Sequence, residues 1–241
     1  MQIYGLMKTT LLDYPGKVAS TIFLGGCNFR CPFCHNMDLI TGLNSIDPIP
    51  LQDVIKHLNL RKGVIDGVCI TGGEPTLQSD LTDLIKTIKD IGLLVKLDTN
   101  GSKTAVLDEL LSKNLLDYIA IDVKSSFSKY LDICGLDQIS QDAGYIKDIL
   151  NNVKNSISLL INQDSVPYEF RTTVIREYHD SDEFKRIGEM LDGAENYYLQ
   201  NFKDSDFVPN HGLHGYSADE LKSFCDLLTP HIKHVGIRGT D

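Results

Sequence analysis

Short apolar runs alternate with amphipathic stretches along the chain. Residues 18–24 (VASTIFL), 67–71 (GVCIT), 93–99 (LLVKLDT), 118–123 (YIAIDV), 169–175 (EFRTTVI) and 196–201 (NYYLQN) read as buried strands, with 234–238 (HVGIR) a seventh candidate. Helical patterning covers 51–60, 77–91, 103–114, 144–161, 180–192 and 218–228. Within 77–91, Leu81, Leu84, Ile85 and Ile88 recur at helical spacing and predict one buried face. Ser102 is the expected N-cap of the helix that follows it. Strand–helix alternation predicts parallel strands joined by crossover helices. About six such units fall short of a closed eight-fold barrel. The expected fold is therefore α/β, a partial (β/α)6 TIM-like barrel, open laterally. Residues 1–17 read as an extended lead-in or hairpin around Asp13-Tyr14-Pro15-Gly16, 18–201 as the partial barrel and 202–241 as a C-terminal extension. No linker-like stretch divides them, so a single domain over 1–241 is expected.

Parallel α/β folds bind ligands at the carboxyl ends of their strands. Six predicted strands put polar residues there or near it. The first is followed by Gly25-Gly26-Cys27-Asn28-Phe29-Arg30-Cys31-Pro32-Phe33-Cys34-His35-Asn36, and the second by Thr71-Gly72-Gly73-Glu74-Pro75. The third ends in Asp98-Thr99-Asn100-Gly101 and the fourth in Asp122-Val123-Lys124; the fifth carries Arg171 and the sixth ends in Gln200-Asn201. Convergence of these groups on one face predicts an active site. Composition then narrows the partners. With 23 Lys plus Arg against 33 Asp plus Glu, a net charge of −10 disfavours non-specific binding to nucleic acid or an anionic membrane, and neither is an expected partner. No apolar run approaches the ~18–20 residues of a membrane span. MQIYGLMKTTLLDYPGK has no basic segment leading into an apolar one, so the expected compartment is the cytosol. There the six cysteines need a reason other than disulfides.

Cys27, Cys31 and Cys34 follow C-x3-C-x2-C spacing on a glycine-led loop. Three thiolates can hold three irons of a [4Fe–4S] cube and leave the fourth iron open to a substrate. The alternatives are a zinc site and unliganded reactive thiols. Zinc takes four N or S ligands; His35 directly after Cys34 is awkward for a shared tetrahedron, and no second C-x2-C or His pair is nearby. TGGEP alone reads equally as an ordinary turn, and its place after a strand favours a site. The Asp98 and Asp122 loops also read as solvated loops, and Arg171 as a surface residue. Cys69 and Cys225 read as small buried hydrophobes. Cys134 reads as exposed and without a role, and His57, His179, His231 and His234 as surface or cap residues.

The C-x3-C-x-[aromatic]-C motif and the GGEP strand end resemble the radical S-adenosylmethionine (SAM) superfamily. The stretch GLMKTTLLDYPGKVASTIFLGGCNFRCPFCHN over 5–36 resembles the glycyl-radical-enzyme activases. It is most similar to the activating proteins of anaerobic ribonucleoside-triphosphate reductase that themselves resemble pyruvate formate-lyase activase. The resemblance extends at lower density to about residue 201. It implies an oxidoreductase in which Cys27, Cys31 and Cys34 hold a [4Fe–4S] cluster whose open iron chelates the amino and carboxylate groups of SAM. Reductive cleavage of SAM would give methionine and a 5′-deoxyadenosyl radical, which takes Hα from a glycine of a partner. The implied partners are a large glycyl-radical enzyme, foremost anaerobic ribonucleoside-triphosphate reductase, and a low-potential electron donor of flavodoxin or ferredoxin type. A radical SAM enzyme acting on a small molecule and a zinc-binding adaptor module are the competing readings.

The resemblance also implies roles for single residues. Gly72, Gly73 and Glu74 would meet the SAM amino group, glycine allowing close approach and Glu74 accepting a charge-assisted hydrogen bond. Asp98, Thr99 and Asp122 would lie near the methionine moiety, where the activases hold a monovalent cation. Lys124 would reach toward SAM, Arg171 would face it, and Phe33 would lie near adenine. The chain departs from formate-lyase activases where a histidine follows their sixth strand. Here the sequence is Leu199-Gln200-Asn201-Phe202, so Gln200 and Asn201 are the expected substitutes, while His211 and His214 are not given that role. The departure favours the reductase as target.

Overall fold

A computed structural model describes residues 1–239. Its sheet runs in unbroken sequence order. β1 (Ile3–Thr10) pairs antiparallel with β2 (Ala19–Leu24). Parallel pairing then continues through β3 (Gly67–Gly72), β4 (Leu94–Thr99), β5 (Tyr118–Asp122), β6 (Tyr168–Val174), β7 (Asn196–Asn201) and β8 (His234–Arg238). Among the described residues β1 and β8 are edges that do not pair with each other, so the curled sheet is a partial barrel. The six predicted parallel strands are present. Part of the segment read as a C-terminal extension supplies β8, which adds a seventh parallel strand.

The crossovers carry α2 (Leu51–Arg61), α3 (Leu81–Ile91), α4 (Thr104–Ser112), α6 (Ala143–Ile161), α7 (Ser181–Met190) and α8 (Ala218–Leu228), with two short helices, α1 (Asp38–Thr41) and α5 (Tyr130–Ile133), in loops. Side-chain oxygens satisfy the free N–H groups that begin the later helices. Asp142 Oδ1 accepts from Gly144 N at 2.8 Å and Asp180 Oδ1 from Glu183 N at 2.7 Å. Ser217 and Glu220 form a reciprocal capping box on α8. Two helix starts differ from expectation. α3 begins at Leu81 because Pro75–Leu77 form a separate 3₁₀ turn capped by Glu74. α4 begins at Thr104, and Ser102 does not cap it; its hydroxyl instead accepts from Asn28 Nδ2 at 2.8 Å.

The strands are two-faced, because successive side chains point to opposite sides. One face carries Ile22, Val68, Ile70, Val95, Leu97, Ile119, Ile121, Phe170 and Leu199, all fully buried in the core that the helices cover. Each such side chain contributes about 1.5–3 kcal/mol by leaving water. Leu81, Leu84, Ile85 and Ile88 of α3 join this core as their spacing predicts. The opposite, concave face is polar, carrying Lys96, Asp98, Asp122, Glu169 and Arg171 at alternating strand positions. The lead-in closes the end where the strands begin. Its turn buries Tyr14, whose ring lies 5.9 Å from that of Tyr118, and Asp13 accepts from the Thr21 hydroxyl. No described helix is long and apolar enough to cross a membrane.

Candidate active site

At the carboxyl ends of the strands, a cleft is lined by Cys27, Cys31, Cys34, Phe33, Gly72, Gly73, Asp98, Thr99, Asp122 and Lys124. Ten of the residues singled out in the sequence thus meet in one place. Glu74, Arg171, Gln200 and Asn201 do not line it. The Asn201 amide is engaged elsewhere: Nδ2 donates to Tyr216 O at 2.8 Å and Oδ1 accepts from Tyr216 N at 2.9 Å. Phe29, His35, Asn36, Asn100 and Thr173 also line the cleft. All but Thr173 stand inside the quoted strand-end motifs, and Thr173 lies two residues after Arg171 on the same face of β6.

The cysteine loop is held from several sides. Gly26 N donates to Leu39 O at 2.7 Å, Asn36 Nδ2 to Gly72 O at 3.0 Å, and the Arg30 guanidinium to the carbonyls of Cys27 and Phe29, each at 2.8 Å. A buried amide chain ties it to the loop after β4: Asn100 Nδ2 donates to Asn28 Oδ1 at 2.9 Å, and Asn28 Nδ2 to Ser102. His35 spends Nε2 on the Lys203 carbonyl at 2.8 Å, with its ring 5.6 Å from Phe202. Among the described residues, no three His, Cys, Asp or Glu side chains converge on a single ion position. The three cysteines instead share the wall of a cleft, a layout that fits a cluster wider than one ion. Burial and the nearby Glu74 charge push the Cys27 thiol up to about 12, and burial also raises Cys34. Those two thiols bind metal only by losing their protons.

Cys134 is not exposed. It is fully buried after α5, its carbonyl accepts from Arg30 N at 2.8 Å, and its thiol is hydrogen-bonded to Cys31, which lowers the pKa of Cys31. Cys69 is fully buried, as expected, and Cys225 is half-buried against the core.

The GGEP segment is shaped by backbone approach. A Cβ on Gly73 would lie 2.0 Å from Gly26 O, and one on Gly72 would lie 2.3 Å from Leu24 O. Gly72 is therefore required by the end of β2 and Gly73 by the loop that follows it, before any ligand is considered. Glu74 turns away from the cleft. Oε1 accepts from Thr76 N at 3.0 Å and Thr99 Oγ1 at 2.7 Å, and Oε2 accepts from Asn100 N at 2.6 Å. Burial raises its pKa, opposed by these hydrogen bonds. Its observed work is to lock the end of β3 to the end of β4.

Two further strand ends are fixed by charge. Arg171 bridges the carboxylates of Asp98, Nη1 to Oδ2 at 3.1 Å, and Asp122, Nε to Oδ1 at 2.9 Å. Lys124 Nζ donates to Asp122 Oδ2 at 3.1 Å. Burial works against the Asp122 charge, but Arg171 and Lys124 outweigh it and hold the carboxyl well below the usual range. His179 is fully buried rather than at the surface: Nδ1 accepts from Ile175 N at 3.1 Å, so Nε2 carries the proton donated to Lys124 O at 2.9 Å. Burial holds its imidazole below its usual pKa. Glu183 of α7 accepts from Ser125 Oγ and Ser126 N, each at 2.6 Å. His57 is half-buried beside Ser20, 3.2 Å from Nε2 to Oγ, whereas His231 pairs with Asp192 and His234 is exposed. His211 and His214 pair with Asp204 and Glu177 and do not line the cleft.

A curled α/β sheet with three cysteines at the mouth of its first parallel strand defines a class, and comparison with known proteins agrees with it. The family model of the radical SAM superfamily matches residues 21–164, more than half of the 241. The chain belongs to the radical SAM superfamily, whose members work with a [4Fe–4S] cluster and SAM, and it is an oxidoreductase of that type. It is 31% identical over 239 residues to a candidate glycyl-radical enzyme activating enzyme of Methanocaldococcus jannaschii, covering 98% of this chain and 95% of that protein. It is 30% identical over 128 residues to the pyruvate formate-lyase-activating enzyme of Clostridium pasteurianum, covering 51% of this chain and 52% of that one. Among solved structures, SuiB of Streptococcus suis superposes with a TM-score of 0.68 at 13% identity over 91% of this chain, which spans about half (48%) of SuiB. TYW1 with a lysine-pyruvate adduct bound superposes with a TM-score of 0.60 at 20% identity, over 89% of this chain and 74% of TYW1. These two likenesses speak to the fold alone.

Proposed function

We propose that this chain is a glycyl-radical-enzyme activase and that its target is anaerobic ribonucleoside-triphosphate reductase. The observation that carries the reading is the cleft itself: the three cysteines of C-x3-C-x2-C, the β3 glycines and the charged ends of β4 and β5 share one wall. The near full-length likeness to a candidate activating enzyme supports the activase class. In this reading Cys27, Cys31 and Cys34 hold the cluster, and the backbone at Gly72 and Gly73 meets the SAM amino group. Asp98, Thr99, Asp122 and Lys124 line the methionine side, and Phe33 lies toward adenine. Glu74 and Arg171 act from behind, by holding strand ends in place. Gln200 and Asn201 are left without a contact to SAM. When bound, the reduced cluster and SAM supply a 5′-deoxyadenosyl radical. The chain's own part is to orient SAM and to admit the glycine-bearing loop of the partner through the open edge of the sheet.

A glycine loop suits this chemistry because its Hα is unshielded and the resulting radical is delocalised over two amides. The loop must leave its own fold to reach the cleft, so docking includes an ordering cost. The reductase is favoured as target by the resemblance over 5–36 and by Gln200-Asn201-Phe202 standing where formate-lyase activases have histidine. The electron donor in this reading is a flavodoxin or ferredoxin. The test is anaerobic incubation of the reduced chain and SAM with each partner separately, read by electron paramagnetic resonance (EPR). A glycyl doublet on the reductase and none on formate-lyase is the expected result. A doublet on formate-lyase alone reverses the target, and SAM cleavage without a doublet on either removes both.

A further inference from the structure

The activase resemblance implies a monovalent cation beside Asp98, Thr99 and Asp122, but the donor atoms there do not fit one. Asp98 Oδ1 accepts from Lys96 Nζ, and Oδ2 from Arg171 Nη1 at 3.1 Å. Asp122 Oδ1 accepts from Arg171 Nε at 2.9 Å and Oδ2 from Lys124 Nζ at 3.1 Å. Thr99 Oγ1 donates to Glu74 Oε1 at 2.7 Å and accepts from Gly101 N at 3.1 Å. Every carboxylate oxygen and the threonine hydroxyl are thus already bonded within the chain. Three side-chain cations, Lys96, Lys124 and Arg171, already answer Asp98 and Asp122, and Arg171 also lies 4.0 Å from Glu169. The charges of the group are thus met from within the chain.

Lys96 is the unusual member. It is fully buried, two residues before Asp98 on the same face of β4. Beyond Asp98 it lies near Cys69 Sγ at 3.8 Å and the Tyr118 ring at 5.9 Å, neither of which carries a matching charge. A buried ammonium is tolerated when a carboxylate answers it. Asp98 is that carboxylate, and it is one of the residues lining the cleft. We propose that the Lys96 ammonium takes the place of the free cation. It is a tethered monovalent cation that fixes the Asp98 carboxylate at the edge of the SAM site and makes the site indifferent to sodium and potassium. The inference rests on the SAM reading for its location, but its cation test does not need SAM.

The experiment uses the full chain, cluster-loaded and anaerobic, in potassium, sodium or choline chloride at equal ionic strength. Two quantities are read, the thermal midpoint without SAM and the dissociation constant of SAM. Wild type is expected to give the same midpoint and the same SAM affinity in all three salts. Lys96→Met is expected to bind SAM about tenfold more weakly in choline, through loss of a charge-assisted contact to Asp98. Its affinity and midpoint should recover when potassium or sodium fills the vacated place. A wild-type midpoint or SAM affinity that rises with potassium or sodium over choline overturns the proposal. So does a folded Lys96→Met variant whose midpoint ignores the cation. Should that variant not fold, the wild-type salt comparison decides alone. Absence of SAM binding by wild type in every salt would count against the SAM reading and leave the salt dependence of the midpoint to judge Lys96.

Discussion

The concave face has two ends, and both are rich in charge. Toward the end where the strands begin, Glu169 near the start of β6 accepts two hydrogen bonds from Arg238, which reaches back from the end of β8, at 2.8 and 2.7 Å, and one from Tyr118 at 3.0 Å; it also lies 4.0 Å from Arg171. The Arg238 guanidinium also stacks 3.6 Å from the centre of the Tyr198 ring, and Tyr14 packs on Tyr118. Every group there is consumed by another protein group. At the end where the strands finish, charges are also paired, but Cys27, Cys31, Cys34 and the β3 glycines face a cleft. Charge on the inner face therefore does not mark function. Groups that face open space do, and they include three thiols on one loop.

The largest effect is expected from the thiols. Cys27→Ala, Cys31→Ala or Cys34→Ala should abolish cluster binding and SAM cleavage, read by iron and sulfide content, whereas Cys225→Ala should keep the cluster. At the opposite end, Glu169→Ala removes the fully buried acceptor of Tyr118 and of the partly exposed Arg238, and should cost about 1–3 kcal/mol of stability. SAM affinity measured below the melting range should be unchanged; a selective loss of SAM binding would mean that the two ends are not separate. Glu74→Ala lies between these cases. It strands the donors of Thr76, Thr99 and Asn100 and should cost roughly 3 kcal/mol by denaturant unfolding, with a weaker SAM site as a consequence of the loosened β3 and β4 ends.

The smallest effect concerns His179, whose ring nitrogens bond only backbone and whose ring stacks on Phe184. His179→Gln should cost about 1–2 kcal/mol at neutral pH, because one of its two backbone partners loses its bond. The sign of the pH dependence follows from the lowered imidazole pKa. The folded state binds fewer protons than the unfolded state, whose histidines titrate near ~6.5. His179 therefore contributes stability above that pH, and the contribution is lost as pH falls through and below it. Denaturant midpoints of wild type and variant should converge between neutral pH and about pH 5. Parallel curves would assign the acid sensitivity elsewhere.

Much of this was legible in the sequence. Strand positions followed from apolar runs, and the cleft residues followed from polar groups at their carboxyl ends. What escaped were properties of contact. Ser102 looks like a cap from its place before KTAVLDELL, yet Asn28, 74 residues away in the chain, takes its hydroxyl. His179 and Cys134 lie in polar stretches, and nothing local says that the chain folds over them. Glu74 and Gly73 stand at the end of β3, where their contacts are structural. The sequence pattern marks a strand end that needs these residues, and only the approach of Gly26 and the donors of Thr99 and Asn100 say why.

The account stands or falls on three thiols that hold a cluster with one iron left for SAM. The direct measurement is low-temperature EPR of the reconstituted, reduced chain, recorded with and without SAM. The account predicts a reduced [4Fe–4S] signal whose shape changes when SAM is added, and whose change is lost in Cys31→Ala together with the cluster. A reduced signal that is the same with and without SAM, or a protein that retains zinc and no iron, would contradict it.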